Sequence, residues 1–459
     1  TRASSDGDLG SEVSGQLFCL PRPMIMTGSM LAAVGLIPGL PFFPFATIGG
    51  ISVGMGYLMA AKQKKLAESP AGALPGSGPA GQLGHQEGKA DESKADKPAE
   101  PTVKAYKQIL SVSPMELKIG FGLVSLVDRE QGGNLIDRIG NVRQQVAEEL
   151  GFVVPPVNVQ DDMSIGSCEY RILVRGLEVA RYSMVAGNML AIDPAGEVEL
   201  DDLQQTVDPS FGFSAYWVPP HRRDYAESRG LTLVDHAGVI TTHLATVVRA
   251  HAAELLGRQD VSDLVEQLKE KHSAVVEELI PEKLSIGVVH RILQELLKEQ
   301  VSVRDLPTIL ETLADNAGQT KDVGLLTELS RNALGGTITQ PYLTQDGVLK
   351  AIGLHPDLEG LLKESGSAIG STTTLRMDPA TARMVLDKMV EAVSAARESG
   401  VEPVLIASPA VRRLAKQLAH CELKGLPVLS LGEVPEWVQV DIINMIPAPA
   451  VANDQAAGA

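Results

Sequence analysis

The sequence predicts an α+β multidomain protein whose N-terminal part is a transmembrane helical hairpin. Three observations lead to this prediction: an uncharged stretch over residues 23–61, a low-complexity segment that follows it, and a long remainder in which apolar residues recur at strand or helix spacing. With 459 residues, the chain is also too long for one hydrophobic core, so about three or four folding units are expected.

Residues 1–65 form the predicted hairpin. The uncharged stretch would extend about 58 Å as a single helix, nearly twice the hydrocarbon thickness of a bilayer. Pro38 and Pro41 bracket a glycine in its middle, which favours a tight turn between two spans. Because Arg22 precedes the first span and lysines follow the second, the positive-inside rule places both ends in the cytoplasm. A signal peptide fits less well, since it needs one short apolar core and a cleavage site.

Residues 66–112 are predicted to be a flexible linker. Their composition is dominated by Pro, Gly, Ala and mixed charges up to about Lys104. Such a segment cannot bury enough apolar surface to offset the entropy that it would lose on ordering. The tail over 448–459 is expected to be disordered for the same reason. The chain has no initiating methionine, so we expect a fragment or a processed form of a longer protein.

Short strands and amphipathic helices follow the linker. Apolar alternation over 116–128 indicates a strand, and apolar residues at helical spacing over 134–150 indicate a helix. Several short strands separated by Gly, Pro and Asp turns come next, and a long helix is predicted over 238–256. The pattern is helical throughout 257–335, and strands and helices alternate again after residue 336.

The composition argues against several classes of function. A formal net charge of −17 repels polyanions, so nucleic acid is not an expected partner. Cys19, Cys168 and Cys421 lie far apart without C-x-x-C spacing, which is typical of a reducing compartment and disfavours a disulfide framework or a cysteine zinc site. The sequence has no G-x-x-x-x-G-K-[ST] loop and no H-E-x-x-H helix, so we expect no cofactor, no metal and no enzymatic activity.

A membrane-anchored hydrolase with an unrecognised site is the enzymatic alternative. Residues 366–370, GSAIG, approach the nucleophile-elbow pattern, but the serine stands one position early in a polar stretch, so a linker is the simpler interpretation. His236, His243 and His251 recur at intervals of seven and eight residues, which favours capping and packing roles over metal binding.

The segment 208–220, DPSFGFSAYWVPP, is unusually aromatic for a chain with 4% Phe, Trp and Tyr. Its glycine and prolines make it too irregular to keep all four rings on one strand face. We expect Phe213, Tyr216 and Trp217 to pack inside and Phe211 to stay at the rim of a cleft. An exposed apolar ring of this kind, with Asp208 to orient a partner, is typical of helix-in-groove recognition.

Long specific blocks stand in order along the region after the linker. They are VDREQGGNLIDRIGNVRQQVAEELGFVVPPVNVQD, DPSFGFSAYWVPP, VVRAHAAELLGRQDV, LIPEKLSIGVVHRILQELLKEQVSVRDLPTILETLAD and VLIASPAVRR with LPVLSLGEV. Together with the hairpin, these blocks resemble the FlhA/FHIPEP family, the large membrane components of the flagellar type III export gate. The corresponding subunit of a virulence-type (injectisome) type III secretion system is the alternative, although HAAELLGRQDV and ILETLAD are closer to the flagellar branch.

The resemblance implies four cytosolic subdomains after the hairpin. Subdomain 1 is split into 113–186 and 236–256 around an inserted α/β subdomain 2 at 187–235. A helical subdomain 3 at 257–335 and an α/β subdomain 4 at 336–447 complete the region. The family's further upstream spans, thought to couple export to proton flow, are absent from this sequence, so this chain alone is not expected to conduct protons.

The resemblance also implies partners and a docking site. In the family, a groove between the first two subdomains docks export chaperone–substrate complexes; the matching positions are Asp208, Phe211 and Thr242, with Val234 and Val239 expected to line it too. Other export-gate membrane subunits, the export ATPase complex and further copies of the chain in a nonameric ring are the other expected partners. The implied location is the bacterial inner membrane, as a multi-pass protein with a large cytosolic C-terminal region.

Overall fold

The computed structural model describes the chain from Val112 onwards, and the predicted hairpin over 1–65 lies outside the described residues. Nearly all of the predicted linker and most of the predicted tail lie outside them too. Within the described part, none of the helices combines the length and the apolar character that crossing a membrane requires. The described residues are 112–449 without 197, 199, 201, 370, 371 and 424.

The first sheet has the strand order β2-β1-β3-β4. Strand β1 (Met115–Ile119) runs parallel to β2 (Val157–Asp161) and antiparallel to β3 (Glu169–Val174), which pairs in turn with β4 (Leu177–Ser183). Helix α1 (Leu135–Leu150) crosses from β1 to β2, as the apolar spacing predicted. The side chains that α1 buries are Leu135, Ile139, Val146 and Leu150.

Strand β1 is shorter than the sequence predicted. The chain leaves the strand at Ile119 and forms a 3-10 helix at Phe121–Leu126. The reason is a backbone crossing at Gly120, where an added Cβ would lie 2.0 Å from the carbonyl oxygen of Gly166. The amide of Gly120 donates to the carbonyl of Glu169 at 2.8 Å, so the polar groups of the bend are satisfied there.

The second sheet is antiparallel throughout and has the order β6-β7-β5-β8. Its strands are β5 (Met189–Asp193), β6 (Gln204–Val207), β7 (Ser214–Val218) and β8 (Thr232–Val234), and a short helix α2 (Arg223–Ser228) precedes β8. One face of this sheet has a small apolar core of its own. The buried members of that core are Ala191, Leu200, Tyr216, Val218, Ala226 and Leu231.

Helix α3 (His236–Ala250) packs against α1, β3 and β5 and therefore touches both sheets. It begins at Asp235, whose carboxylate accepts a hydrogen bond from the amide of Gly238 at 2.8 Å. The sequence predicted one long helix up to residue 256, but the helical backbone breaks at His251, and α4 (Ala252–Leu255) continues as a separate turn.

The helical stretch predicted over 257–335 is helical in the structure. Its apolar side chains join those of the first sheet and α1 in one continuous core that extends from Met115 to Leu334. Asp305 and Asp322 cap two of its helices with their side chains. The helices are α5 (Arg258–Lys269), α6 (Ser273–Leu279), α7 (Ile286–Lys298), α8 (Leu306–Asn316), α9 (Val323–Ala333) and α10 (Gly335–Thr339).

The C-terminal part contains a parallel sheet in the order β13-β12-β9-β14. Its two faces carry separate cores, and both are distinct from the core of the preceding part. The elements of this part are β9 (Val348–Leu354), α11 (Pro356–Ser365), β10 (Gly366–Ile369), β11 (Thr372–Leu375), α12 (Pro379–Glu398), β12 (Val404–Ala407), α13 (Arg412–Ala419), β13 (Val428–Ser430) and β14 (Gln439–Ile446).

The prediction of a linker over 366–370 is wrong for most of that segment. Gly366–Ile369 is strand β10, which forms an antiparallel hairpin with β11. Ser367 therefore stands within a hairpin strand, and its carbonyl accepts from the hydroxyl of Thr374 at 3.3 Å. A nucleophile elbow needs a sharp strand-to-helix turn at the serine, so this position lacks the geometry of the hydrolase alternative.

A buried cluster of charges joins the helical part to the C-terminal part. The guanidinium of Arg412, 0% exposed, donates to the carboxylates of Glu299, at 2.6 and 2.9 Å, and Glu328, at 2.6 Å. Arg331 donates to Glu433 at 3.0 and 2.8 Å, and both of these side chains are buried. Burial opposes ionisation of Arg412, but the hydrogen bonds to Glu299 and Glu328 outweigh it and raise the pKa of Arg412.

Candidate docking surface

The loop between β6 and β7 has a fixed backbone. The amide of Asp208 donates to the carbonyl of Phe213 at 2.9 Å, and the amide of Gly212 donates to the carbonyl of Asp208 at 3.0 Å. Gly212 has a φ of 76°, which a residue with a side chain rarely adopts. The carboxylate of Asp208 accepts from the amides of Ser210 at 3.1 Å and Phe211 at 2.7 Å. The backbone amides of three successive residues, Ser210, Phe211 and Gly212, are therefore all held by Asp208.

Two aromatic rings project from this loop. Phe211 is 63% exposed and Phe213 is 39% exposed, and their ring centroids are 5.9 Å apart. Val207, at the adjoining end of β6, is 55% exposed. We call these three residues the Phe211 patch. The expectation that Phe213 packs inside is wrong, whereas Tyr216 and Trp217 are buried, as expected.

Asp208 lies beneath the patch and is only 3% exposed. The sequence suggested that Asp208 orients a partner by direct contact. A carboxylate this deeply buried cannot do so, and it orients the amide of Phe211 instead. A buried hydrogen bond of 2.8 Å joins the hydroxyl of Tyr170 to Nδ1 of His243 nearby. Burial lowers the pKa of His243, and the negative charge of Asp208 acts in the opposite direction. Asp208 is thus electrically coupled to the middle of α3.

Tyr182 connects the first sheet to the edge of the second. Its hydroxyl donates to the carbonyl of Val207 at 3.0 Å and lies 3.1 Å from the hydroxyl of Thr206. The ring of Tyr182 lies 6.3 Å from Trp217, centroid to centroid, and at the same distance from Tyr170. Aromatic packing and two hydrogen bonds therefore fix the position of the β6–β7 hairpin against β4.

The three other residues predicted for the site have different environments. Thr242 is exposed on α3, next to His243 in the chain, which places it on the helix that Asp208 faces. Val234 is half-buried and packs on the first turn of α3, where an added Cβ at Gly238 would lie 2.7 Å from its Cγ1. Val239 is 2% exposed in the main core, so its side chain cannot contact a partner on the surface.

Two members of the Phe211 patch were missed from the sequence. Val207 has the spacing of an ordinary strand valine, and no sequence signal distinguishes it. Phe213 carried a signal in Gly212, because a glycine between two phenylalanines permits a turn that points both rings outward. Within the described part of the chain, no cluster of His, Cys, Asp or Glu has the arrangement needed to hold a metal ion.

The fold of the described region is similar to solved structures of two other proteins. The Chlamydia pneumoniae CdsV protein matches with a TM-score of 0.65 and 23% identity over 76% of this chain and 100% of that chain. Nonameric EPEC SctV-C matches with a TM-score of 0.61 and 22% identity over 73% of this chain and 99% of that chain. At these identities, the likeness establishes the fold alone.

Two curated proteins are more similar in sequence. The flagellar biosynthesis protein FlhA of Bacillus subtilis (strain 168) is 33% identical over 449 residues, which are 97% of this chain and 63% of that protein. The protein of the same name from Salmonella typhimurium is 31% identical over 436 residues, which are 95% of this chain and 59% of that protein. This chain therefore spans about three fifths of the length of these relatives.

A family model matches nearly the whole chain. The model of the FHIPEP family covers residues 1–439. Its range includes the loop that carries Phe211 as well as the residues that precede the first described strand. The chain belongs to the FHIPEP family.

Proposed function

We propose that this chain is a non-enzymatic component of the flagellar type III export gate and that its cytosolic region docks export chaperone–substrate complexes. The observation that carries the proposal is the Phe211 patch, an exposed aromatic pair on a loop whose backbone is fixed from beneath. The family and the relatives named for flagellar biosynthesis supply the context. Their higher sequence identity favours the flagellar apparatus over a virulence-type secretion system.

The physical basis of docking is the burial of apolar rings that are already in place. Phe211 and Phe213 lose little conformational freedom on binding because the loop holds their backbone and each ring has two side-chain torsions. Burial of an exposed phenylalanine in a matching pocket is worth about 2 kcal/mol. No bond is made or broken in such a step, so the site needs neither a nucleophile nor a metal.

The proposal also covers the location of the chain in the cell and its assembly with other subunits. The N-terminal hairpin lies in the bacterial inner membrane as part of a multi-pass protein, and the linker attaches a cytosolic region of four subdomains. Three separate four-stranded sheets in the described residues, together with the helices between them, support this division. A ninefold ring of chains is included because SctV-C, which shares the fold, is nonameric. Other export-gate membrane subunits and the export ATPase complex are the further proposed partners.

The test is the affinity of the detergent-solubilised chain for a flagellar chaperone–substrate complex. Phe211→Ala should weaken binding about 30-fold, which corresponds to about 2 kcal/mol. Phe121→Ala is the matched control, because Phe121 is 69% exposed and lies next to the first sheet, outside the Phe211 patch. Calorimetry that gives equal affinities for the unchanged chain and Phe211→Ala would contradict the proposed docking surface.

A further inference from the structure

The proposed docking surface is divided between two parts of the fold. The Phe211 patch stands on the β6–β7 loop of the second sheet, whereas Thr242 is exposed on α3, which packs on the first sheet through β3. Among the described strands, none of the first sheet pairs with a strand of the second. A partner that touches both parts therefore binds tightly only if the two sheets keep one relative orientation.

The hydroxyl of Tyr182 on β4 joins the first sheet to the strand that leads into the Phe211 patch. It donates to the carbonyl of Val207, and because a phenol carries one hydrogen, the hydroxyl of Thr206 donates to it in return. Burial raises the pKa of Tyr182, so the phenol keeps the proton that it donates. Val207 is a member of the patch and directly precedes Asp208, whose carboxylate holds the amide of Phe211.

Tyr182 is the polar link between the first sheet and the β6–β7 hairpin. Among the described residues, no other group of the first sheet forms a hydrogen bond to residues 204–213. The ring of Tyr182 lies between those of Tyr170 on β3 and Trp217 on β7, with centroids 6.3 Å from each. Aromatic contacts of this kind tolerate small displacements, whereas a hydrogen bond is directional, so the hydroxyl defines where the hairpin stands.

Tyr216 makes a similar hydrogen bond that does not cross between the sheets. Its hydroxyl donates to the carbonyl of Val198 at 2.9 Å, and its ring belongs to the small core of the second sheet. Because neighbouring residues of a strand face opposite sides, Tyr216 points away from Trp217, which lies in the main core. The hydroxyl of Tyr216 therefore fastens the second sheet internally, whereas that of Tyr182 fastens it to the first sheet.

From this difference we infer that Tyr182 is a positioning residue for docking, and that its hydroxyl sets the place of Phe211 relative to Thr242. The inference rests on the proposed function and adds the residue that makes the two parts of the surface act together. Tyr182 is half-buried beneath the hairpin and acts through Phe211. Its hydroxyl favours the one orientation of the hairpin in which a partner reaches both parts.

A matched pair of variants tests this role. The full chain in detergent is titrated with the flagellar chaperone–substrate complex as Tyr182→Phe and as Tyr216→Phe, each of which keeps its ring and loses its hydroxyl. We expect Tyr182→Phe to weaken binding about fivefold and Tyr216→Phe to leave it unchanged. Unchanged binding by Tyr182→Phe would overturn the inference. Equal weakening by Tyr216→Phe would overturn it as well, because general loosening of the second sheet would then explain both results.

A double variant shows whether Tyr182 acts through Phe211. When two residues contribute to binding through the same contact, the effects of their replacement are not additive. In the Phe211→Ala chain, Tyr182→Phe should therefore weaken binding by less than about twofold. A second loss of about fivefold in that chain would mean that Tyr182 acts independently of Phe211, and the positioning role would fail.

The outcomes separate this inference from the proposed function. If Phe211→Ala weakens binding and Tyr182→Phe does not, the docking surface stands and the role of Tyr182 fails. If Phe211→Ala leaves the affinity unchanged, the proposed surface fails, and the inference that depends on it fails too. Weakening by each single variant, without an added loss in the double variant, supports both.

Discussion

Asp208 acts on the Phe211 patch from beneath. Its carboxylate holds the amides of Ser210 and Phe211 while its own side chain is almost entirely covered. Aspartate is suited to this position because its short carboxylate reaches amides two and three residues ahead in the chain. The residue therefore belongs to the proposed docking surface as a positioning residue, and the ring of Phe211 supplies the contact.

Replacement of Asp208 should loosen the loop. In Asp208→Ala, the two amides lose their acceptor, and the free energy of unfolding should fall by about 1–3 kcal/mol. Urea unfolding measures this loss. Asp202→Ala is the control, because Asp202 is an exposed carboxylate that pairs with Arg222 near the surface; this change should have little effect. An Asp208→Ala chain as stable as the control would show that the amides of the loop do not need the carboxylate.

At the level of elements, α3 is attached to β3 by a polar contact inside an apolar core. The hydroxyl of Tyr170 and Nδ1 of His243 form a buried hydrogen bond of 2.8 Å. The rings also meet edge-on at an angle of 74°. A neutral imidazole fits this environment, since burial opposes its protonation.

Lower pH should weaken the fold in part through His243. In the unfolded chain the imidazole takes up a proton near its ordinary pKa of 6.5, whereas burial lowers the pKa of His243 in the folded chain. Below about pH 6.5 the unfolded state therefore binds more protons, and the free energy of unfolding falls by at most about 1.4 kcal/mol per pH unit until the folded pKa is passed. Urea unfolding as a function of pH should give a shallower slope for His243→Asn than for the unchanged chain. Equal slopes would assign the pH dependence to other groups.

Sequence periodicity predicted the elements whose burial is regular. Helix α1 buries four apolar residues on one stripe, and its limits follow the spacing closely. The strand before it was predicted too long, because apolar alternation continues through a segment where Gly120 lets another loop cross the backbone. The strand at Gly366–Ile369 was missed because its composition is that of a turn, and the pairing with β11 that forms it is a tertiary contact.

The aromatic segment was predicted in part for a related reason. Its composition identified the exposed ring of Phe211 and the buried rings of Tyr216 and Trp217. The burial of Asp208 and the exposure of Phe213 depend on how the loop closes on itself, and no periodicity encodes that closure.

At the level of the whole molecule, the described region contains several hydrophobic cores, and a cluster of buried ion pairs joins the helical part to the C-terminal part. One core includes the first sheet and the helices up to Leu334, and the C-terminal sheet has cores of its own. Arg412 reaches from α13 to Glu299 and Glu328, which lie 113 and 84 residues earlier in the chain. Pairs so distant cannot be predicted from the spacing in one sequence, and the cluster was not predicted.

Removal of one member of this cluster should be costly. Arg412→Ala leaves the carboxylates of Glu299 and Glu328 without their principal partner, so the free energy of unfolding should fall by about 3–5 kcal/mol. Arg383→Ala is the control, because its ion pairs with Asp387 and Glu422 are exposed, and we expect little change. Guanidinium unfolding of both variants measures the difference. Similar stabilities for both would mean that water replaces the lost guanidinium at the junction.

The same cluster has a consequence for the order in which the chain is synthesised. The ribosome releases Glu299 and Glu328 well before Arg412, so the nascent helical part must keep these carboxylates hydrated until Arg412 has been synthesised. A product that stops short of Arg412 would display an unneutralised acidic face where the finished protein has a sealed joint.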